Sequence, residues 1–265
     1  MKFLFSQIIL CCVLFASCSN KGTESGGVAE TDSVSQAIVL NDSNFPDVNF
    51  RSAICRKLSI AEGDTIPNEI ILKVEELRLS ELGIRSLKGI EFFTALRQVD
   101  CRDNMLKEID FSKNISLVNL ECANNLLTSI DVTNNQLLEG LGCSHNKLTS
   151  IDLTKCPNLE HFLCSGNKIK HIDISKCQKL LELGVVNCEL TELDVTNNPN
   201  LKKLYCSGNN IRVLDLRNNL KMDNLYCKQP FLSQIDIIRP SNNASLGKET
   251  THYWTDYLSF IWWEK

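Results

Sequence analysis

Residues 138–158 read L-E-G-L-G-C-S-H-N-K-L-T-S-I-D-L-T-K-C-P-N, and this stretch decides the architecture. Leu138, Leu141, Cys143, Leu148, Ile151 and Leu153 are its first, fourth, sixth, eleventh, fourteenth and sixteenth residues. The fourth and sixth alternate with polar or small neighbours, the period-two signal of a short strand with one buried face. The fourteenth and sixteenth alternate around Asp152, which predicts a second, shorter extended segment on the opposite side of the unit. Gly, Asn, Thr and Ser fill the turns, and no room is left for a long helix.

The same spacing runs outward in both directions without slipping. Seven units of 21 residues start at Leu96, Leu117, Leu138, Leu159, Leu180, Leu201 and Met222, and a divergent 22-residue unit precedes them at 74–95. A unit this small cannot bury its apolar stripe alone, so neighbours must stack and cover one another. A fixed period in this range with this apolar spacing is the mark of a leucine-rich-repeat solenoid. The expected fold is an α/β-type right-handed coil with a concave parallel sheet, few helices in the repeats and a small helical cap at the N-terminus.

Three registers within the unit carry polar or reactive residues. The ninth holds Asn104, Asn125, Asn146, Asn167 and Asn209, replaced by Cys188 and Pro230 in the fifth and seventh units. An interior Asn there can bond turn backbone that no ladder satisfies. The sixth holds Cys101, Cys122, Cys143, Cys164, Cys206 and Cys227, with Val185 in the gap, and Cys156 and Cys177 form a shorter series at the nineteenth. Stacked in register, neighbouring Cβ atoms would lie about 4.8 Å apart, beyond the usual disulfide range of about 3.5–4.5 Å. Free buried thiols are therefore expected, against the alternatives of some disulfides or a metal. The fifteenth is Asp in all seven units: Asp110, Asp131, Asp152, Asp173, Asp194, Asp215 and Asp236. Such a row either caps its own turns, with Ser or Thr two residues on, or coordinates calcium.

The chain of 265 residues opens on an export signal at 1–17, with Lys2, an apolar stretch from Phe3 to Phe15, and Ala16-Ser17. Leu14-Phe15-Ala16-Ser17-Cys18 resembles a bacterial lipobox. That resemblance implies acylation of Cys18 and attachment to a membrane, the alternative being plain secretion after cleavage near Ser17. Ser19 resembles the outer-membrane sorting pattern of Gram-negative lipoproteins. The expected location is the cell envelope, lipid-anchored at the outer membrane and surface-exposed. Residues 18–36 read as a flexible tether. Residues 37–73 read as the helical cap, 74–242 as the repeats and 243–265 as an aromatic-rich C-terminal cap, or else a partner patch.

The repeats resemble those of internalin-like bacterial surface proteins of the 21-residue, cysteine-ladder type. The segments N-F-P-D-V-N-F-R-S-A-I-C-R-K-L (44–58) and E-G-D-T-I-P-N-E-I (62–70) resemble the cap of that family, and L-G-I-R-S-L-K-G-I-E-F-F (82–93) its first repeat. Phe45, Phe50, Ile54 and Leu58 suit an amphipathic helix over the first strand. Glu62, Asp64 and Glu69 are too few for a calcium loop. The resemblance implies secretion or surface display and recognition of protein or carbohydrate.

Net charge is −4 with no basic stripe, so no nucleic-acid partner is expected. His145, His161, His171 and His252 have no triad or metal spacing, no nucleophile or phosphate-loop motif occurs, and neither an enzyme nor a cofactor is expected. The expected function is binding of an extracellular protein or glycan, the alternative being an accessory lipoprotein that holds a partner of the same membrane. On the sheet face Gly140, Gly142 and Gly184 predict a shallow hollow beside His161 and Leu163, followed by Tyr205 and Tyr226 with Lys203 and Lys228 close by. These six non-glycine residues are the candidate ligand contacts, unless the tyrosines are there only because aromatics suit strands.

Overall fold

The structure is a computed structural model that describes residues 37–228 and 236–238. The expected export segment 1–17, Cys18, the expected tether, Pro230 and the stretch 243–265 lie outside the described residues.

The cap opens with β1 (Ile38–Val39), which pairs antiparallel with β2 (Thr65–Ile66). Between them lies α1 (Val48–Leu58), and α2 (Asn68–Ile71) follows. Asp47 caps α1 by accepting from the amides of Asn49 and Phe50. Its second oxygen accepts from Arg85 and Ser86, so one carboxylate fixes both the helix start and the first repeat. Phe45 precedes the helix instead of belonging to it. It is fully buried among the rings of Phe50, Phe92 and Phe93, with centroids 5.7–6.3 Å away.

The repeats form an eight-stranded parallel sheet from β3 (Glu76–Arg78) through β4 (Gln98–Asp100), β5 (Asn119–Glu121), β6 (Gly140–Gly142), β7 (His161–Leu163), β8 (Glu182–Gly184) and β9 (Lys203–Tyr205) to β11 (Asn224–Tyr226). Pairing is in register throughout: Leu141 partners Phe162, Phe162 partners Leu183, and Leu183 partners Leu204. The middle residue of each strand enters the core, and its two neighbours project from the other face, as the pleat requires. All six sixth-place cysteines are buried in one column with Val185.

Each strand ends in a turn whose eighth residue is left-handed: Asp103, Asn124, His145, Gly166, Asn187 and Gly208 have φ of 53–72°. The ninth-place Asn clamps this turn. Nδ2 of Asn146 donates to the carbonyls of Cys122, Cys143 and Ser144, and its Oδ1 accepts from the Leu127 amide of the preceding unit. A second Asn column occupies the nineteenth place. Asn114, Asn135, Asn198 and Asn219 each donate to two carbonyls of earlier units, as Asn135 does to Phe111 and Asn114. Cys156 and Cys177 fill the gap in this column, their thiols 3.8 and 4.0 Å from single carbonyls.

The second extended segment is mostly not a strand. Among the described residues it pairs only where β10 (Val213–Asp215) meets β12 (Asp236–Ile238). In the earlier units, as at Asp215, the Asp carboxylate accepts from the amide two residues on and caps a local turn. The β10–β12 pairing is also two residues out of step with the period: Asp236 stands opposite Val213, and Ile238 stands beside Asp215. Asp236 therefore does not extend the Asp row, which ends at Asp215 among the described residues.

Candidate functional site

The sheet face is built from two columns of alternating strand residues. Its glycines leave no open hollow, because the preceding rung leans over each of them. Asn119 Oδ1 lies 2.5 Å from where a Cβ of Gly140 would stand, the Glu121 carboxylate occupies the corresponding space at Gly142, and Leu163 Cδ2 lies 2.7 Å from that point at Gly184. Leu163, expected to stand free beside the hollow, is folded over Gly184 and only 2% exposed. Register alone says which residues are neighbours; the lean of a long side chain into the space a glycine leaves is a packing outcome.

Toward the C-terminal end the face becomes aromatic and charged. Tyr205 and Tyr226 are register partners and stack, with ring centroids 5.0 Å apart and planes at 14°. Both are half-buried. Burial, then the charge of Glu182, then Tyr226 and Asp223, push the Tyr205 phenol up to about 12. Glu182 is the residue the sequence reading passed over. It sits between His161 and Lys203 with its Oε2 3.4 Å from His161 Nδ1 and 3.8 Å from Lys203 Nζ, and its side chain is 4% exposed. Its Oε1 is buried without a hydrogen bond among the described residues. Two of the candidate contacts, His161 and Lys203, thus meet at one buried carboxylate, whose charge also bears on Tyr205, while Tyr226 stands one strand further on. Lys228 lies two residues beyond Tyr226, where its amide donates to Ser207 Oγ at 3.0 Å. The signal that could have found Glu182 is a lone acid in a column flanked by two potential cations.

The opposite end of the face is acidic. Asp100 and Glu121 are adjacent in register and each 4% exposed, with Arg102 Nη2 3.1 Å from Asp100. Burial raises the Asp100 carboxyl above its usual range, although Arg102 opposes the shift.

The two ladders act locally. All ten described cysteines are free, and burial pushes the Cys156 thiol to about 11 and that of Cys177 to about 12. Asp131, Asp152 and Asp194 each accept from both the amide and the hydroxyl of a Thr two residues on, at 2.6–2.9 Å. Those bonds hold Asp131 and Asp152 below the usual carboxylate range. Among the described residues no group of three or more His, Cys, Asp or Glu is placed to hold a metal ion.

This fold and these columns define an internalin-like leucine-rich-repeat protein with a cysteine ladder. The functional domain of InlJ from Listeria monocytogenes, which includes a cysteine ladder, is 32% identical to this chain with a TM-score of 0.64. The match covers 76% of this chain and 49% of that one, so the chain spans about half the length of the InlJ domain. A leucine-rich-repeat protein of Leptospira interrogans (19% identity, TM-score 0.53, 61% of this chain and 51% of that one) shares the fold. So does internalin C2 of L. monocytogenes (16%, 0.51, 66% and 90%). No protein-family model matches the chain, and no curated protein does.

Proposed function

We propose that the protein is an exported recognition protein, anchored in the cell envelope through a lipid on Cys18, whose sheet face binds an extracellular protein or glycan at its C-terminal half. The observation that carries this reading is the stacked Tyr205–Tyr226 pair, held on two hydrogen-bonded strands beside Glu182 and Lys203. Rigid, half-buried aromatics give large contact area at small entropic cost, because the strands already fix them. A solenoid core closed by leucine and cysteine leaves chemistry to the side chains it displays, and displayed side chains are what recognition needs.

The double substitution Tyr205→Ala, Tyr226→Ala tests the site. Truncating a hot-spot aromatic costs about 2 kcal/mol or more, roughly thirtyfold in affinity. The variant should lose measurable binding of any ligand the wild type retains, at a nearly unchanged unfolding midpoint. An unaltered dissociation constant in the folded variant moves the site elsewhere. Anchoring is tested separately: Cys18→Ala should take up no fatty-acid probe, and equal labelling of variant and wild type would remove the anchor.

A further inference from the structure

We propose that one edge of the solenoid docks on an anionic lipid surface, with Arg85, Lys107, Lys147, Lys168 and Lys170 meeting lipid phosphates and Met105 and Leu126 entering the headgroup layer. The inference takes from the anchoring reading that a membrane is at hand, and adds the surface of the domain that rests on it.

The edge is built by the tenth to twelfth places of five successive units, beginning with the 22-residue one. The eleventh residues, Ile84, Leu106, Leu127, Leu148 and Ile169, are fully buried. The twelfth residues are exposed, and so are the tenth in the four 21-residue units. The amides of Met105, Leu126, Lys147 and Lys168 each donate to the eleventh carbonyl of the preceding unit at 2.8 Å, which sets these side chains in file one rung apart. Five rungs span about 19 Å. All five cations are exposed, and no ion pair ties any of them to a carboxylate among the described residues. Met105, 47% exposed, and Leu126, 36% exposed, stand between them. One acid, Glu108, faces the five cations at the tenth to thirteenth places of these units, in a chain whose net charge is −4. The file stops at the next tenth residue, Glu189, which is left-handed at φ 66° and, like Glu192, carries the charge of the lipid. The Asp row bounds it three places on from the twelfth. The chain was read as having no basic stripe because successive rungs lie 21 or 22 residues apart; stacking assembles one.

Exposed cations with apolar side chains among them match a lipid surface, where phosphates attract the first and the headgroup boundary buries the second. Each Lys or Arg near an anionic membrane contributes about 1 kcal/mol. A soluble polyanion would be drawn by the cations but would gain nothing from Met105 and Leu126. A protein partner fits less well, because a file one or two side chains wide excludes little water from a hot spot. Residues 19–36 separate Cys18 from Ala37, a reach of at most about 65 Å even when fully extended, so an anchored domain stays beside its membrane.

The test reconstitutes the full chain in vesicles of phosphatidylcholine with or without phosphatidylglycerol and follows lysine acetylation by mass spectrometry. Lys107, Lys147, Lys168 and Lys170 should be labelled at least about fivefold more slowly on the anionic vesicles, while Lys113 and Lys155, exposed outside the file, should change less than about twofold. The double change Lys147→Glu, Lys168→Glu should remove the slowing at Lys107 and Lys170 without moving the unfolding midpoint. Met105→Ser with Leu126→Ser should reduce it. Equal labelling on both kinds of vesicle, or equal slowing at Lys113 and Lys155, overturns the proposal. So does slowing that dextran sulfate reproduces and the Met105 and Leu126 changes leave intact, which assigns the file to a soluble polyanion. Failure of the anchor is a separate result: a chain without lipid on Cys18 floats with the anionic vesicles alone, its file still protected, and then only the anchor falls.

Discussion

Cys188 is the residue at which the repeat logic is broken most informatively. It occupies the ninth place, where Asn146 and its equivalents bond turn carbonyls and accept an amide from the eleventh residue of the preceding unit. The Leu106, Leu127, Leu148 and Leu190 amides all find such an Asn at 2.9–3.0 Å. The equivalent Ile169 amide, fully buried, faces a thiol instead, and Cys188 Sγ reaches only the Cys164 and Val186 carbonyls, at 3.3 and 3.6 Å. The fifth unit also turns its tenth residue, Glu189, to φ 66°. Cys188→Asn should therefore stabilise by about 1 kcal/mol, the net value of a hydrogen bond, or about 2–4 °C in the unfolding midpoint. A lowered midpoint would show that the turn has adapted to the thiol. In the sixth-place column the opposite change should do harm. Cys143→Ser puts a hydroxyl into a fully buried apolar site and should cost roughly 1–3 kcal/mol by denaturant unfolding. Thiol counting on denatured, unreduced protein should find most of the nine repeat cysteines free; recovery of two or fewer would contradict the packing. The sixth-place column was legible in the sequence because burial there follows from register alone. The lean of Leu163 over Gly184 was not, because it depends on how far a side chain reaches across a rung.

At the scale of the element, the Asp row is a set of separate turn caps. Because their hydrogen bonds hold the Asp110, Asp131, Asp152, Asp173 and Asp215 carboxyls below the usual range, the native state binds fewer protons than the unfolded chain just below pH 4. Their contribution is present above the unfolded value and is lost as pH falls through the native one, so the unfolding midpoint should drop on acidification below about pH 4. Asp100 has the opposite sign: its carboxyl is raised by burial, so its cost appears as pH rises through the raised value. Calcium at millimolar concentration should leave the melting midpoint unchanged, and a rise of several degrees would mean the row coordinates the ion. The Asp at the fifteenth place could be read from the sequence, and so could its partner two residues on. That this segment pairs only at β10 could not, since alternation at the fourteenth and sixteenth places is equally compatible with a strand. The shifted pairing of β12 with β10 was hidden as well: I-D-I at 235–237 imitates the repeat, while the backbone pairs two residues later.

For the whole molecule, the period alone gave the parallel stack, its core and its two faces, because each follows from identical units covering one another. The functional end was half legible. The tyrosine pair could be placed by counting, but the buried carboxylate at its foot stood out only once His161, Glu182 and Lys203 were seen to meet. The claim that the C-terminal half of the sheet face is the binding surface is tested most directly by amide hydrogen exchange with and without a bound ligand. Protection should concentrate in 182–184, 203–205 and 224–226. Protection confined to the opposite side, around the shallow depression lined by Asp173, Glu192, Asp194 and Val213, would contradict it.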